Sequence, residues 1–78
     1  MSTRLTEVFA RVLKVPAERL DETTSPENTP EWDSLAAMEL VSQIEETFGV
    51  ELSSLEIMKM RSIGVARQVL ERRGVTDV

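Results

Sequence analysis

Residues 31–41 read Glu-Trp-Asp-Ser-Leu-Ala-Ala-Met-Glu-Leu-Val, and they predict where the principal helix of this chain begins. A loop that contains prolines precedes them, and apolar residues at helical spacing follow. Asp33 and Ser34 are both N-cap residues by type, because their side-chain oxygens accept hydrogen bonds from the unpaired N–H groups of a first helical turn. We therefore predict a helix over about residues 34–48, ended by Gly49 in a left-handed conformation.

Three other segments carry apolar residues at intervals of three and four, which is the spacing of one helical face. They predict a helix over about 3–14, a short helix over about 54–60 and a helix over about 63–73. The connection 15–33 shows no sustained period, and no segment alternates as a strand does. The fold class is therefore all-α: a four-helix bundle with three longer helices, a short third one and a long loop, in a single domain over 1–78.

Capping residues and apolar faces add detail to this bundle. Ser2 or Thr3 can cap the first helix, Ser62 the last, and Ser53 with Glu56 has the spacing of a capping box. The predicted core consists of Leu5, Phe9, Leu13, Leu40, Ile44, Phe48, Ile63, Val65, Ala66 and Val69. The core face of the second helix also includes Leu35, Ala37 and Val41, and we expect Met58 and Met60 to fill the core. Trp32 is interpreted as an apolar clasp that holds the loop to the bundle.

The residues that are absent restrict the chemistry. The 78-residue chain contains no Cys and no His, so it has no disulfide, no thiolate nucleophile and no histidine base. A hydrolase with Ser34 as its nucleophile would lack the triad histidine. We expect no enzymatic activity and no metal site, and any thiol chemistry needs an attached cofactor. With no apolar run near membrane-spanning length and no signal peptide, we expect a cytoplasmic monomer.

Charge is distributed unevenly along the chain, whose net charge is −5. Residues 18–56 carry eleven acidic residues and one basic residue, Arg19, which gives −10, and the remainder carries +5. A long acidic segment argues against nucleic acid as a partner, because phosphate binding needs a basic face. It favours protein partners that present Arg and Lys.

The order and spacing of four groups of residues resemble the signature of acyl carrier proteins: Asp33-Ser34-Leu35, Glu39-Leu40-Val41, Ile44-Glu45-Glu46 and Phe48. The resemblance covers essentially the whole chain, including its length, its acidity and its one long loop. It implies that Ser34 carries 4′-phosphopantetheine through a phosphodiester and that Asp33 and Leu35 bind this cofactor beside it. The thiol of that cofactor holds acyl groups as thioesters.

The same resemblance implies a set of partners and a surface for them. The partners are a phosphopantetheinyl transferase and the acyl-activating, condensing and acyl-transfer enzymes of fatty-acid, polyketide or other specialised acyl biosynthesis. The partner-binding residues implied on or beside the second helix are Asp33, Met38, Glu39, Glu45 and Glu46. Their acidic side chains match basic docking surfaces on those enzymes.

The chain departs from the usual fatty-acid carrier pattern at several positions. Ala36 stands where many members have an acidic residue, and Ser42 where many have an exposed apolar one. The third helix is less acidic, with Ser53, Leu55 and Met58 at the matching positions. These differences leave the pathway and the cargo open. An aminoacyl, peptidyl or D-alanyl carrier, and an unmodified acidic helical interaction module, remain as alternatives.

Overall fold

All regular elements in the part of the chain that the structure describes are helical. The structure is a computed structural model that describes residues 3–76 and residue 78. Its helices are α1 (Arg4–Leu13), α2 (Ser34–Phe48), α3 (Ser54–Lys59) and α4 (Ile63–Arg72), with a 3₁₀ turn at Ala17–Arg19. The predicted four-helix order with a short third helix is confirmed. No helix bound differs from the predicted one by more than one residue.

Each of these helices starts at a side chain that accepts a hydrogen bond from its first turn. The N–H donors lie 2.9–3.2 Å from the capping oxygens, in the pairs Thr3 with Thr6, Asp33 with Ala36, Ser53 with Glu56 and Ser62 with Val65. Glu56 also accepts from the Ser53 N–H at 2.9 Å, which completes the predicted capping box. Thr3 therefore caps α1, and the alternative, Ser2, lies outside the described residues. Because each capping side chain and its N–H donor are three residues apart, the helix starts can be predicted from the sequence alone.

Three described helices are followed by a residue in the left-handed region of backbone space: Lys14 after α1, Gly49 after α2 and Gly74, with φ 87°, after α4. Gly49 has φ 65°, as predicted, and its N–H donates to the carbonyl of Glu45. Lys14 has φ 61° at the end of α1, although a Cβ makes that conformation unfavourable. The two turns stop the helices in the same way with different residues.

The core lies between α1, α2 and α4, with residues from the loops added to it. Predicted core residues Leu5, Phe9, Leu40 and Ile44 are buried, whereas Phe48 and Val65 are only partly buried. The buried apolar residues that the sequence analysis did not place in the core are Val8, Val12, Val15, Leu52, Leu70 and Val78. No helix in the described part of the chain is long and apolar enough to cross a membrane.

Two residues assigned to the core from their sequence pattern are on the surface. Leu35 is 78% exposed and Met58 is 73% exposed, so both assignments were wrong. Leu35 lies in the first turn of α2, where helical spacing continues but no other helix covers it. Met58 lies on α3, whose six residues pack mainly against α4 and leave one face open. Met60, just after α3, is buried as expected.

The long loop is held in place by side chains rather than by a regular element. The Thr23 hydroxyl and N–H both donate to the Asp21 carboxylate, at 2.6 and 2.8 Å, and these bonds lower the pKa of that carboxyl. The Asn28 amide accepts from the Ser25 N–H at 3.0 Å and donates to the Thr23 carbonyl at 2.8 Å. These short-range bonds explain how a loop without apolar periodicity is ordered.

The loop is also fixed to α4. The N–H of Gly64 donates to the Glu22 carbonyl at 3.1 Å, and a Cβ on Gly64 would lie only 3.1 Å from that oxygen. Arg67 pairs with the Glu22 carboxylate and also donates to the carbonyl of Val78 at 2.8 Å. A glycine at 64 therefore allows the loop backbone to approach α4 closely.

Candidate functional site

Ser34 is the first residue of α2 and its side chain is exposed. The sequence left Asp33 and Ser34 as alternative caps, and the structure assigns that role to Asp33 alone, through its 2.9 Å bond from the Ala36 N–H. The Ser34 hydroxyl has no hydrogen-bond partner among the described residues. It is therefore available to a molecule outside the chain.

The start of α2 also presents backbone donors. The Ala36 N–H is used by the Asp33 side chain, and the Ala37 N–H donates to the Asp33 carbonyl at 2.9 Å. Within the described residues, the N–H groups of Ser34 and Leu35 have no such acceptor. Unpaired N–H groups and the helix dipole favour an anion at this end of a 15-residue helix.

Trp32 holds the approach to Ser34 against the core. Its ring is 94% buried and meets Phe9 of α1 in a T-shaped contact, with centroids 5.1 Å apart. The N–H of Trp32 donates to the Thr29 carbonyl at 2.9 Å, within a turn of the loop. The predicted apolar clasp is confirmed, and it anchors the chain two residues before Ser34.

A groove with a volume of about 470 Å³ borders Ser34. One wall is the loop and the start of α2, with Pro26, Trp32, Asp33, Ser34 and Ala37; the other is α3 and the residues after it, with Ile57, Met58, Met60 and Arg61. Most of these side chains are apolar, so the groove suits an apolar ligand with a polar end at the surface. A deeper cavity of about 40 Å³, between Phe9, Trp32 and Met60, is far smaller.

Leu35 lies on the other side of the α2 start. It lines a second groove of about 400 Å³, formed with α1 and including Lys14 and Glu39, and Ser34 does not line this groove. Leu35 and Ser34, which the resemblance places together at the cofactor, therefore face different grooves. Asp33 borders both of them.

The residues expected to meet partners differ in their surroundings. Met38 is 72% exposed, and Glu39 and Glu46 are exposed as well. Glu45 is half-buried, and its carboxylate accepts a hydrogen bond from the Leu52 N–H at 2.8 Å. Glu45 thus fixes the chain that leaves α2. Glu39 and Glu46 are exposed, whereas Glu45 makes a hydrogen bond within the chain.

One pair at the groove was missed by the sequence analysis. Arg61, just after α3, forms an ion pair with Glu27 of the loop, 34 residues away in the chain. No local pattern links these positions, since each reads as a surface charge. The sequence carries one relevant signal, the absence of any Lys or Arg between Arg19 and Lys59. A basic side chain near Ser34 must therefore come from another part of the chain.

The described residues contain no cluster of acidic side chains that could hold a metal ion. The Ser34 site instead consists of a free hydroxyl, unpaired N–H groups and an apolar groove. A comparison of the chain with protein families gives a match. The family model described as "Phosphopantetheine attachment site" matches residues 3–65, which include α1, the loop, α2, α3 and the start of α4.

Proposed function

Because the chain belongs to the phosphopantetheine attachment site family, we propose that it is an acyl carrier protein whose 4′-phosphopantetheine is attached to Ser34. The observation that carries this assignment is the exposed Ser34 hydroxyl, which no other described residue engages, at the start of α2. When bound, the group supplies a thiol that holds cargo as a thioester. The chain itself supplies the attachment point and the surface that partners recognise.

The residues around Ser34 fit a phosphodiester. Its negative charge is disfavoured by the neighbouring carboxylate of Asp33, since like charges repel, whereas the carboxylate of Glu31 is paired with Arg19 at 3.8 Å. The N–H groups of Ser34 and Leu35 and the dipole of α2 favour the same charge. The groove beside Ser34 leaves room for the rest of the arm. These features support attachment of the group at the start of α2.

The Ser34 hydroxyl needs help to react, because the chain has no histidine to deprotonate it. We propose that a separate transferase supplies the base and coenzyme A supplies the group. The serine oxygen bonds to the phosphorus that carries pantetheine, and the bond from this phosphorus to the bridging pyrophosphate oxygen breaks. The hydroxyl proton passes to the base of the transferase, and adenosine 3′,5′-bisphosphate leaves.

An acyl cargo is favoured over an aminoacyl cargo by the walls of the groove. Trp32, Ala37, Ile57 and Met60 present apolar surface there, which lowers the free energy of an apolar chain, and Asp33 is the one carboxylate in the lining, next to Ser34. A hexanoyl group on the arm should shift the resonances of Ile57 and Met60, whereas an alanyl group should leave them near their holo positions. Equal shifts with both cargoes would contradict the acyl assignment.

The partner surface that we propose combines the exposed carboxylates of Asp33, Glu39 and Glu46 with the exposed side chain of Met38. Exposed ion pairs are individually weak, about 0–1 kcal/mol, so a cluster gives fast encounter and fast release. Affinity for a transferase should fall as ionic strength rises. An affinity that does not change between low and physiological salt would contradict this surface.

The attachment site is tested by intact mass after incubation with coenzyme A and a broad-specificity transferase. Wild type should gain one phosphopantetheine unit, and Ser34→Ala should gain none. Ser54→Ala is a matched control, because Ser54 is also an exposed first residue of a helix, directly after a capping residue. It should load like wild type. A folded wild-type chain that gains no mass with several transferases would instead support an unmodified acidic interaction module.

A further inference from the structure

We propose that Arg61 binds the phosphodiester of the arm on Ser34, and that it gives up its ion pair with Glu27 to do so. This inference rests on the proposed attachment to Ser34. Arg61 and Ser34 line the same groove, and Arg61 is the one basic side chain among the residues that line it. Arg61 acts here as a positioning residue for the arm.

The charges around Ser34 leave a phosphodiester short of a cation. Asp33 directly precedes Ser34, and no Lys or Arg lies between Arg19 and Lys59 in the chain. The fold corrects this, because the turn after α3 brings Arg61 to the groove from 27 positions along the chain. Lys14 is the basic residue of the groove on the other side of α2, which Ser34 does not line. Arg61 is therefore the cation that shares a cavity with the attachment point.

The present partner of Arg61 is easily exchanged. The side chains of Arg61 and Glu27 are 61% and 65% exposed, and an ion pair between exposed groups adds little stability. The backbone of Arg61 is fixed by its N–H bond to the Lys59 carbonyl at 2.8 Å. Its side chain can therefore turn from one anion to another while its backbone stays in place.

The chemistry of the guanidinium group suits a phosphodiester as well as it suits the Glu27 carboxylate. Its planar array of N–H donors matches two phosphate oxygens at once, which a lysine ammonium group cannot do. The phosphodiester would be bonded to Ser34 and Glu27 belongs to the same chain, so both anions compete for Arg61 as intramolecular ligands. Glu27 then becomes a competitor whose removal strengthens the contact between Arg61 and the arm.

The experiment compares holo proteins by nuclear magnetic resonance, after intact mass has shown that each carries the arm. The variants are Arg61→Gln, Glu27→Gln and, as the control, Lys59→Gln, which removes an exposed base two residues away that does not line the groove. The readouts are the phosphorus resonance of the phosphodiester and the relaxation that a nitroxide on the arm thiol causes at the Ile57 and Met58 amides.

Arg61→Gln should shift the phosphorus resonance and weaken the relaxation at the groove about threefold, which is the scale of one exposed charge-assisted contact. Glu27→Gln should change both readouts in the opposite direction, and Lys59→Gln should match wild type. Wild-type values in Arg61→Gln would overturn this inference and leave the attachment to Ser34 standing. No mass gain in wild type would overturn the attachment, and the inference with it.

Discussion

The ring of Trp32 meets the ring of Phe9 edge to face, with the two planes at 61° and the centroids 5.1 Å apart. This contact joins the loop that leads to Ser34 to the centre of α1, where Phe9 is fully buried. Trp32 also lines the groove that borders Ser34. The hydrophobic core and the groove beside Ser34 therefore share the side chains of Trp32 and Met60.

Trp32→Ala should destabilise the protein by about 3–5 kcal/mol, because it removes a large buried side chain and leaves a cavity beside Phe9. A domain of this size is stabilised by only about 4–12 kcal/mol, so this variant should be partly unfolded in mild denaturant. Urea denaturation followed by circular dichroism measures the loss. Leu35→Ala is the control, since Leu35 is exposed and its truncation should change stability by about 0.5 kcal/mol or less. Equal losses would contradict the assignment of Trp32 to the core.

Two substitutions at Asp33 should separate its cap from its charge. Asp33→Asn keeps an oxygen that accepts from the Ala36 N–H, so stability should stay near wild type, while affinity for the transferase falls. Asp33→Ala removes both the capping oxygen and the charge, and it should lower the stability by about 1 kcal/mol. Thermal unfolding and binding titration measure the two effects. Full affinity in Asp33→Asn would show that the charge of Asp33 plays no part in docking.

The exposed carboxylates of α2 should matter to partners more than equally exposed carboxylates elsewhere. The double variant Glu39→Gln, Glu46→Gln should weaken binding to the transferase and reduce its dependence on salt, because it removes two charges from the proposed surface. Its control is Glu7→Gln, Glu71→Gln, which makes the same change of net charge on α1 and α4. Similar losses in both pairs would indicate an effect of net charge alone.

Glu56 should make the stability of the protein depend on acid. The hydrogen bond from Arg73 and the backbone bond from Ser53 lower the pKa of Glu56 from 4.5 to about 2. A carboxyl whose pKa is lower in the folded state stabilises it fully above pH 4.5, and this stabilisation is lost as the pH falls toward 2. Glu56→Gln keeps the capping box but removes the charge.

Between pH 5 and pH 2, the free energy of unfolding of Glu56→Gln should therefore fall less steeply than that of wild type. The difference in slope should be about that expected for the uptake of one proton on unfolding. Denaturant unfolding at a series of pH values measures it. Glu18→Gln, an exposed carboxylate in the 3₁₀ turn, controls for the loss of one negative charge. A wild-type slope in Glu56→Gln would rule out this carboxyl as a source of the acid dependence.

The left-handed ends of α1 and α2 should respond to substitution in opposite directions. Gly49→Ala should destabilise the protein by about 1 kcal/mol, and the cause is conformational, because a Cβ there would meet no atom within 4 Å. Lys14→Gly should stabilise it by about 0.5 kcal/mol, since relief of the strained φ of 61° outweighs the added freedom of the unfolded chain. Thermal unfolding measures the stability of both variants. If both are less stable than wild type, the positive φ of Lys14 is not a source of strain.

The parts of the fold that depend on local chemistry could be predicted from the sequence. Asp33, Ser53 and Ser62 cap the helices that follow them, because a cap and its N–H donor are three residues apart. The exposure of Leu35 and Met58 could not be predicted, because helical spacing indicates an apolar face but not how far the neighbouring helices reach along it.

The candidate site also has one part that could be predicted from the sequence and one part that could not. The position of Ser34 at a helix start follows from residues next to it, whereas its groove is completed by residues after α3. The pairing of Arg61 with Glu27 depends on how the loop crosses toward that turn. No spacing in the sequence encodes this. The place of Ser34 at the start of α2 was therefore predictable from the sequence, and the presence of Arg61 in the same groove was not.

Trp32 is the only tryptophan in the chain, and it is buried beside the groove that Ser34 borders. An indole in that place is an intrinsic optical probe of the proposed attachment site. Its emission wavelength and its quenching by small solutes will report whether the groove is filled or open to water. Attachment of the arm and occupation by cargo can thus be followed on the unlabelled protein, in real time and in the presence of partner enzymes that lack tryptophan.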